Sequence, residues 1–209
     1  MKIKSIFFLL ILAACSIAIA APDSESPTSQ PQNADVVGGD PQDAEYQFNQ
    51  GVIYAQGEAV PQDYALAVQW FTKAAEQGHA AAQHNLGLMN QQGLGVRQDA
   101  EKAFQWFSKA AEQGYAESEY SLGRMYVIGE GVKTDYAKAL EWYNKAAVQG
   151  NDRAQLNLGL LYAQGEGVPQ DYRQAYSWFS LAVLNGSEGA VKNREWITPK
   201  LSDVDIQQA

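Results

Sequence analysis

The sequence repeats with a period of 36 residues, which limits the possible fold more than any other feature. Four tryptophans keep this period: Trp70, Trp106, Trp142 and Trp178. Three sets of four glycines keep it too: Gly51, Gly87, Gly123 and Gly159; Gly57, Gly93, Gly129 and Gly165; Gly78, Gly114, Gly150 and Gly186. Such a period is typical of stacked units that each contact only their neighbours. A globular fold with one non-repeating core is therefore excluded.

Residues 79–114 show what one unit contains. Apolar residues recur at helical spacing over 80–91, and the glycine-containing segment 92–96 interrupts them. Asp99 lies where an N-cap would begin a second helix, and Gly114 lies where a C′ glycine would end it. Each unit is therefore predicted to be a helix–turn–helix hairpin. Four hairpins in series predict an all-α solenoid.

The period divides the folded part of the chain into four repeats and a cap. The predicted repeats are residues 43–78, 79–114, 115–150 and 151–186. Residues 187–209 do not continue the 36-residue period, because Trp196 does not fall at the position of the periodic tryptophans. We predict that they form a C-terminal capping helix over the fourth repeat. Gln50 stands where the other repeats have leucine, which predicts a polar face at the start of the stack.

The glycine inside each first helix needs a packing reason, because such a glycine costs about 1 kcal/mol relative to alanine. We expect Gly87 and its three equivalents to let the second helix pass close by. The ring of Trp106, or its equivalent, is expected against that face. These four glycines and the four periodic tryptophans are the predicted structural anchors.

The first twenty residues have the pattern of a bacterial export signal. Lys2 and Lys4 precede the apolar run 6–14, which is too short for a comfortable membrane span, and small residues follow. Two processing sites remain open. Cleavage after Ala20 would release a protein to the periplasm or medium. Cleavage before Cys15, which resembles a lipobox cysteine, would give a lipid-anchored membrane protein.

Residues 21–42 are predicted to be a disordered linker. Four of the seven prolines fall here, among Ser, Gln and Asp, with almost nothing that a core could bury.

The composition and the polar residues argue against several classes of function. The 15 basic and 24 acidic residues give a net charge of −9, which argues against binding nucleic acid or an anionic membrane. Membrane contact is expected only through Cys15. This single cysteine also excludes a disulfide framework within the chain.

His79 and His84 lack a third positioned group, so we predict no metal site, no cofactor and no catalytic residue. We predict that three glutamates in the inter-helix turns are solvated charges: Glu58, Glu130 and Glu166.

The repeats resemble the Sel-one-like repeat family, a relative of the tetratricopeptide repeat. The motif L-G-x-x-Y-x-x-G-x-G-V-x-x-D-x-x-x-A-x-x-W-x-x-K-A-A-x-x-G is matched throughout residues 122–150, and the resemblance covers about 42–186. It implies a right-handed α/α solenoid whose first helices line a concave groove. Family members linked to β-lactam binding are cysteine-rich, whereas these repeats contain no cysteine. The departures from the motif are Gln50, Ala59, Asn90, Leu181 and Val183.

A candidate binding stripe follows from comparing the repeats with one another. Counted from the first-helix glycine as zero, positions −3, +1 and +4 lie about one turn apart and stay mostly apolar while varying. The predicted partner-binding residues are Phe48, Val52, His84, Leu88, Tyr120, Arg124, Leu156 and Leu160. A solvent-facing stripe of this kind is typical of a peptide groove. The alternative that stays open is packing of position −3 between neighbouring repeats.

We therefore expect an exported, non-enzymatic scaffold that binds a peptide or protein partner in its concave face. Two alternatives remain open. One is a cell-envelope ligand binder or hydrolase that acts on cell-wall material through groove carboxylates. The other is a lipid-anchored envelope assembly factor tethered at Cys15.

Overall fold

The computed structural model describes residues 39–208, in which ten α-helices and one 3-10 turn occur and no strand is present. Eight helices form four pairs: α1 (Ala44–Gln56) and α2 (Tyr64–Glu76), α3 (Ala80–Gln92) and α4 (Ala100–Glu112), α5 (Ala116–Ile128) and α6 (Tyr136–Val148), α7 (Asp152–Gln164) and α8 (Tyr172–Leu184). The remainder is α9 (Glu188–Ile197), the 3-10 turn Thr198–Lys200 and α10 (Asp203–Gln208). The predicted export signal, Cys15 and the linker up to residue 38 lie outside the described residues.

The helices stack in chain order. Each packs against its pair partner, and each second helix packs against the first helix that follows it. The first helices α5 and α7 touch directly, as do α7 and α9. Contacts between neighbours alone build an α-solenoid, so the fold class predicted from the repeat period is confirmed. Within residues 39–208, no helix has the length and apolar character needed to cross a membrane.

Side-chain caps and glycines set the helix ends as the sequence predicts. Asp99 Oδ1 accepts a hydrogen bond from the Lys102 backbone N–H at 2.9 Å and so begins α4. The equivalent caps of the other second helices are Asp63, Asp135 and Asp171. Gly114 follows α4 with a φ of 80°, the left-handed conformation that a C′ glycine supplies.

The expectation that tryptophan packs on the first-helix glycine is wrong. A Cβ placed on Gly87 would lie 2.5 Å from the ring of Phe107, the residue after Trp106. Phe107 is fully buried, whereas Trp106 is half-buried with Lys109 Nζ 4.3 Å from its ring centroid. Adjacent helical residues point about 100° apart, so only one of the two can face the glycine. The rings equivalent to Phe107 are Phe71, Tyr143 and Phe179.

The polar face expected at the start of the stack is not formed by Gln50. Its side chain is only 2% exposed, and within the described residues its Nε2 has no hydrogen-bond partner. The equivalent leucines, such as Leu86, are buried as well. This position therefore belongs to the hairpin core and not to the outward face of the first repeat.

The folded body begins slightly before the predicted boundary at residue 43. Gln47 Nε2 on α1 donates to the Pro41 carbonyl at 2.9 Å, and Gln77 Nε2 after α2 donates to the Gln42 carbonyl at 2.9 Å. These bonds fix residues 41–42, which the sequence assigns to the linker, against the first hairpin.

At the other end, α9 packs against α8 and touches α7. Ile197 is fully buried in one cluster with Ala163, Ala175 and Phe179 of the fourth repeat. Trp196, beside it on the helix, is half exposed. The apolar side of the last hairpin is therefore covered by α9, and α10 also contacts α8.

Candidate functional site

The solvent side of the first helices carries four residues per helix, at positions −6, −2, +1 and +5 from the glycine. We call these sixteen residues the outer line: Glu45, Asn49, Val52 and Gln56 on α1; Ala81, Asn85, Leu88 and Gln92 on α3; Glu117, Ser121, Arg124 and Ile128 on α5; Arg153, Asn157, Leu160 and Gln164 on α7. All sixteen are half-buried or exposed. Successive members lie about one helical turn apart, so each helix presents one continuous strip.

The predicted stripe divides into surface and interior. Its +1 residues, Val52, Leu88, Arg124 and Leu160, lie on the outer line. At +4, Gln91 and Ala163 are buried and cannot contact a partner. The −3 residues turn toward the following repeat, which is the alternative that the sequence left open.

His84 shows the role of position −3 between the second and third repeats. Its Nδ1 lies 2.8 Å from Ser118 Oγ on α5. Its ring is 5.3 Å from those of Phe107 and Tyr115. Burial, together with the positive charge of Arg153, lowers the pKa of His84 to about 4. The imidazole is therefore neutral at neutral pH and serves packing and hydrogen bonding.

The other −3 residues also pack between repeats. Phe48 stacks on His79 with 4.6 Å between ring centroids. The Tyr120 ring lies 5.9 Å from Tyr143 and 4.8 Å from the Arg153 guanidinium carbon. Leu156 packs against the buried cluster of the fourth repeat. Four of the eight predicted partner-binding residues therefore stabilise the stack.

Charges at the N-terminal ends of the outer line are paired across repeats. Glu45 Oε2 lies 3.0 Å from His79 Nε2. Glu117 accepts hydrogen bonds from Asn151 Nδ2 at 3.0 Å and from the Arg153 guanidinium. These partners connect adjacent hairpins at this end of the line.

The middle of the outer line is mostly uncharged. Positions −2, +1 and +5 hold amide, aliphatic and amide side chains in the first, second and fourth repeats. The third repeat differs, with Arg124 at +1, whose guanidinium lies 4.0 Å from Glu130. Glu130 also accepts from Gln91 Nε2 at 2.8 Å. A stripe defined by variation between copies misses positions −2 and +5, because their amides recur.

Two of the three turn carboxylates, Glu130 and Glu166, have structural partners. Glu130 is held by Gln91 and Arg124, and Glu166 lies by Tyr136, whose pKa is raised by burial and then by that negative charge. The aspartates that follow these turns are helix caps. Within residues 39–208, no three His, Cys, Asp or Glu side chains are grouped to hold a metal ion.

Tandem hairpins with one open helix face define the class: an α-solenoid repeat protein. The family model described as Sel1 repeat matches residues 44–79, 80–115, 116–151 and 152–187. The chain belongs to the Sel1 repeat family. Proteins of this family are generally protein-interaction scaffolds, typically non-enzymatic, and generally bind protein partners.

Three solved structures are similar to this chain. The protective antigen c5321 of uropathogenic Escherichia coli, which displays an SLR fold, is 40% identical with a TM-score of 0.70, over 71% of this chain and 32% of the antigen. A Sel1 repeat protein from Oxalobacter formigenes is 38% identical with a TM-score of 0.69, over 72% and 60% of the two chains. Cysteine rich protein B of Helicobacter pylori is 31% identical with a TM-score of 0.51, over 65% and 98%.

The matched region thus spans about a third of the antigen and three-fifths of the Oxalobacter protein. No curated protein matches the chain by sequence.

Proposed function

We propose that this protein is an exported, non-enzymatic scaffold that binds a segment of a partner protein along the outer line of its first helices. The observation that carries the proposal is the uncharged middle of that line in three of the four repeats. Removing aliphatic and amide side chains from water costs little free energy when the amides find hydrogen-bond partners in the complex. Removing charged side chains from water would cost more.

The contrast with the second helices supports the choice of face. In the first three repeats their outer surface carries a lysine over the tryptophan ring, with Nζ 4.3 Å from the centroid for Lys73 on Trp70 and 4.0 Å for Lys145 on Trp142. Glu112 is also exposed there. Such a surface is well hydrated and expensive to cover, so the first-helix side is the better contact surface.

The N-terminal pattern supports export of the protein, because Lys2 and Lys4 precede the apolar run 6–14 as in a bacterial export signal. Cleavage at either site, after Ala20 or before Cys15, would leave the repeats outside the cytoplasm. The partner is accordingly a protein of the bacterial envelope or its surroundings.

Matched glutamines on the two sides of the hairpins test the proposal. Gln92→Lys with Gln164→Lys puts two positive charges on the outer line, and Gln69→Lys with Gln105→Lys puts two on the second helices. All four glutamines are exposed, so both variants should fold. The tagged proteins are expressed in the native bacterium, and captured proteins are compared by quantitative mass spectrometry.

We expect at least one envelope protein to be captured by the wild type and by the second-helix variant and to be lost from the outer-line variant. Loss from the second-helix variant alone would show that the wrong face has been assigned.

A further inference from the structure

We infer that two copies of this protein associate weakly through the outer faces of α6 and α8, with α6 of each copy against α8 of the other. The contact uses the second helices and leaves the outer line free, so it goes beyond the proposed function and does not rest on it. Its basis is a change in the exposed residues of the second helices from the first repeat to the fourth.

Two exposed positions of the second helix change from charged to apolar along the stack. Three residues after the periodic tryptophan, the four repeats have Lys73, Lys109, Lys145 and Leu181. Six residues after it, they have Glu76, Glu112, Val148 and Leu184. All eight residues are exposed, so the hairpin core does not require the change.

The aliphatic residues among them form one patch at the C-terminal ends of α6 and α8. We call this patch the apolar corner: Val148, Leu181 and Leu184. Leu181 and Leu184 lie about one turn apart on α8. Trp178 on α8 packs against the core cluster that contains Ala146 and Ala147 of α6, which brings the ends of the two helices together.

The described residues of this chain leave the apolar corner open. Leu184 is 81% exposed and Val148 is 78% exposed, although α9 and α10 both contact α8. In the first three repeats a lysine lies over the periodic tryptophan, whereas Leu181 takes the place of that lysine in the fourth. Adjacent exposed aliphatic side chains are typical of a surface that contacts another protein.

The charges beside the apolar corner favour a second copy of this chain as its occupant. Glu141 on α6 and Arg173 on α8 are both exposed, and neither forms an ion pair within residues 39–208. The Arg173 guanidinium donates to the Gln208 side-chain oxygen at 3.2 Å. The two neighbouring helices therefore carry opposite charges that have no charged partner in the described part of the chain.

A two-fold arrangement pairs both helices at once, because an isologous contact uses the same patch on both copies. With the axis parallel to the helices and between them, α6 faces α8 of the other copy at the same height. Val148 then contacts Leu184 of the other copy. The Glu141 carboxylate lies about one helical turn from Arg173 of the other copy, within reach of that long side chain.

The size of the contact indicates a weak dimer. α6 and α8 have 13 residues each, so they are about 20 Å long, and side by side they are about 20 Å wide. The contact therefore covers about 400 Å² of each copy, or about 800 Å² in total, which is less than the roughly 1,200 Å² of a stable interface. We expect a dissociation constant of about 10–100 µM.

Sedimentation velocity of the full exported protein, from well below to well above this concentration range, tests the inference. The test variant is Leu181→Lys with Leu184→Glu, which gives the fourth repeat the residues that the first two repeats already have at these positions. The matched control is Gln69→Lys with Gln105→Glu, which puts the same two charges on exposed positions of α2 and α4.

We expect the wild type to form dimers reversibly as its concentration rises. The test variant should raise the dissociation constant about tenfold or more, because charges would then be removed from water at the contact. The control should associate like the wild type. All four changed residues are exposed, so thermal melts should show both variants folded.

Charge reversal tests which helices meet, and it still decides the matter if the test variant does not fold. Glu141→Arg and Arg173→Glu should each weaken the dimer severalfold. The two together should restore it, because the ion pair forms again with its charges exchanged. A double variant as weak as the single variants would overturn the contact between α6 and α8.

A wild type that stays monomeric throughout the range would overturn the inference, as would a dimer that the test variant leaves unchanged. The Gln92→Lys, Gln164→Lys variant separates this result from the proposed function, since it should lose the envelope partner and still dimerise. Loss of its dimer would place the contact between copies on the first helices and would also overturn the inference.

Discussion

At the residue scale, two adjacent aromatics of each second helix have separate roles. Phe107 fills the space above Gly87 and is fully buried, while Trp106 lies on the flank of the hairpin and carries Lys109 over its ring. The prediction from the sequence that the tryptophan ring lies against the glycine is wrong. Both aromatic residues keep the 36-residue period and differ by one position on the helix, so the period does not distinguish them.

This division predicts unequal effects of truncation. Phe107→Ala should lower the free energy of unfolding by about 3–5 kcal/mol, the usual range for a buried phenylalanine. Trp106→Ala should lower it clearly less, because Trp106 is only partly buried and loses fewer contacts. Urea denaturation followed by circular dichroism measures both. A larger loss for Trp106→Ala would show that the tryptophan is the core residue.

At the element scale, a row of amides connects the ends of the helices. Gln83 on α3 accepts from Gln113 Nε2 at 2.7 Å and donates to the Ala75 carbonyl of the preceding hairpin at 3.1 Å. Gln155 on α7 repeats this pattern. In the third repeat Glu119 accepts from Gln149 Nε2 at 2.7 Å, but an ionised carboxylate has no proton to donate. Glu119 thus satisfies half of the bridge.

Glu119→Gln should therefore stabilise the protein. Burial raises the pKa of Glu119, and the Gln149 hydrogen bond and the Lys145 charge oppose this in part. A raised folded-state pKa means that the folded protein holds the proton more tightly than the unfolded chain. The wild type accordingly loses stability as the pH rises through that pKa. At pH 7 we expect the variant to be more stable by about 1–2 kcal/mol.

Urea denaturation at pH 7 and at pH 4 measures this difference. It should shrink at pH 4, where Glu119 is more protonated and resembles glutamine. The depressed pKa of His84 affects both proteins alike and cancels in the comparison. A variant that is less stable than the wild type at pH 7 would refute the bridging role of this position.

The second glycine of each inter-helix turn packs against the preceding repeat, which the motif of a single repeat does not reveal. Gly95 lies against the backbone of Tyr64, and Gly131 against that of Ala100, so a Cβ there would collide with the preceding second helix. Ala59 occupies this position in the first hairpin, where no second helix precedes it among the described residues. The sequence marks Ala59 as a departure from the motif, but the reason lies in contacts between repeats.

At the scale of the whole molecule, the two sides of the solenoid differ in chemistry. Amides and aliphatic side chains dominate the middle of the outer line. Charges are common on the second helices of the first three repeats, whereas the fourth exposes Leu181 and Leu184. The period alone predicts the stack, and the family resemblance selects the first helices for binding. The alternative left open for position −3 is packing against the following hairpin, and His84 and Tyr120 pack in this way. Helical spacing within one hairpin does not choose between the two possibilities.

In-cell photo-crosslinking shows whether the first-helix side of the solenoid contacts a partner protein. A photoreactive amino acid replaces Gln92 on the outer line or, as control, Glu112 on the second helix, both exposed. We predict a discrete protein adduct from position 92, identified by mass spectrometry, and none from position 112. An adduct from position 112 alone, equal adducts from both, or none from either would show that the first-helix side is not the partner surface.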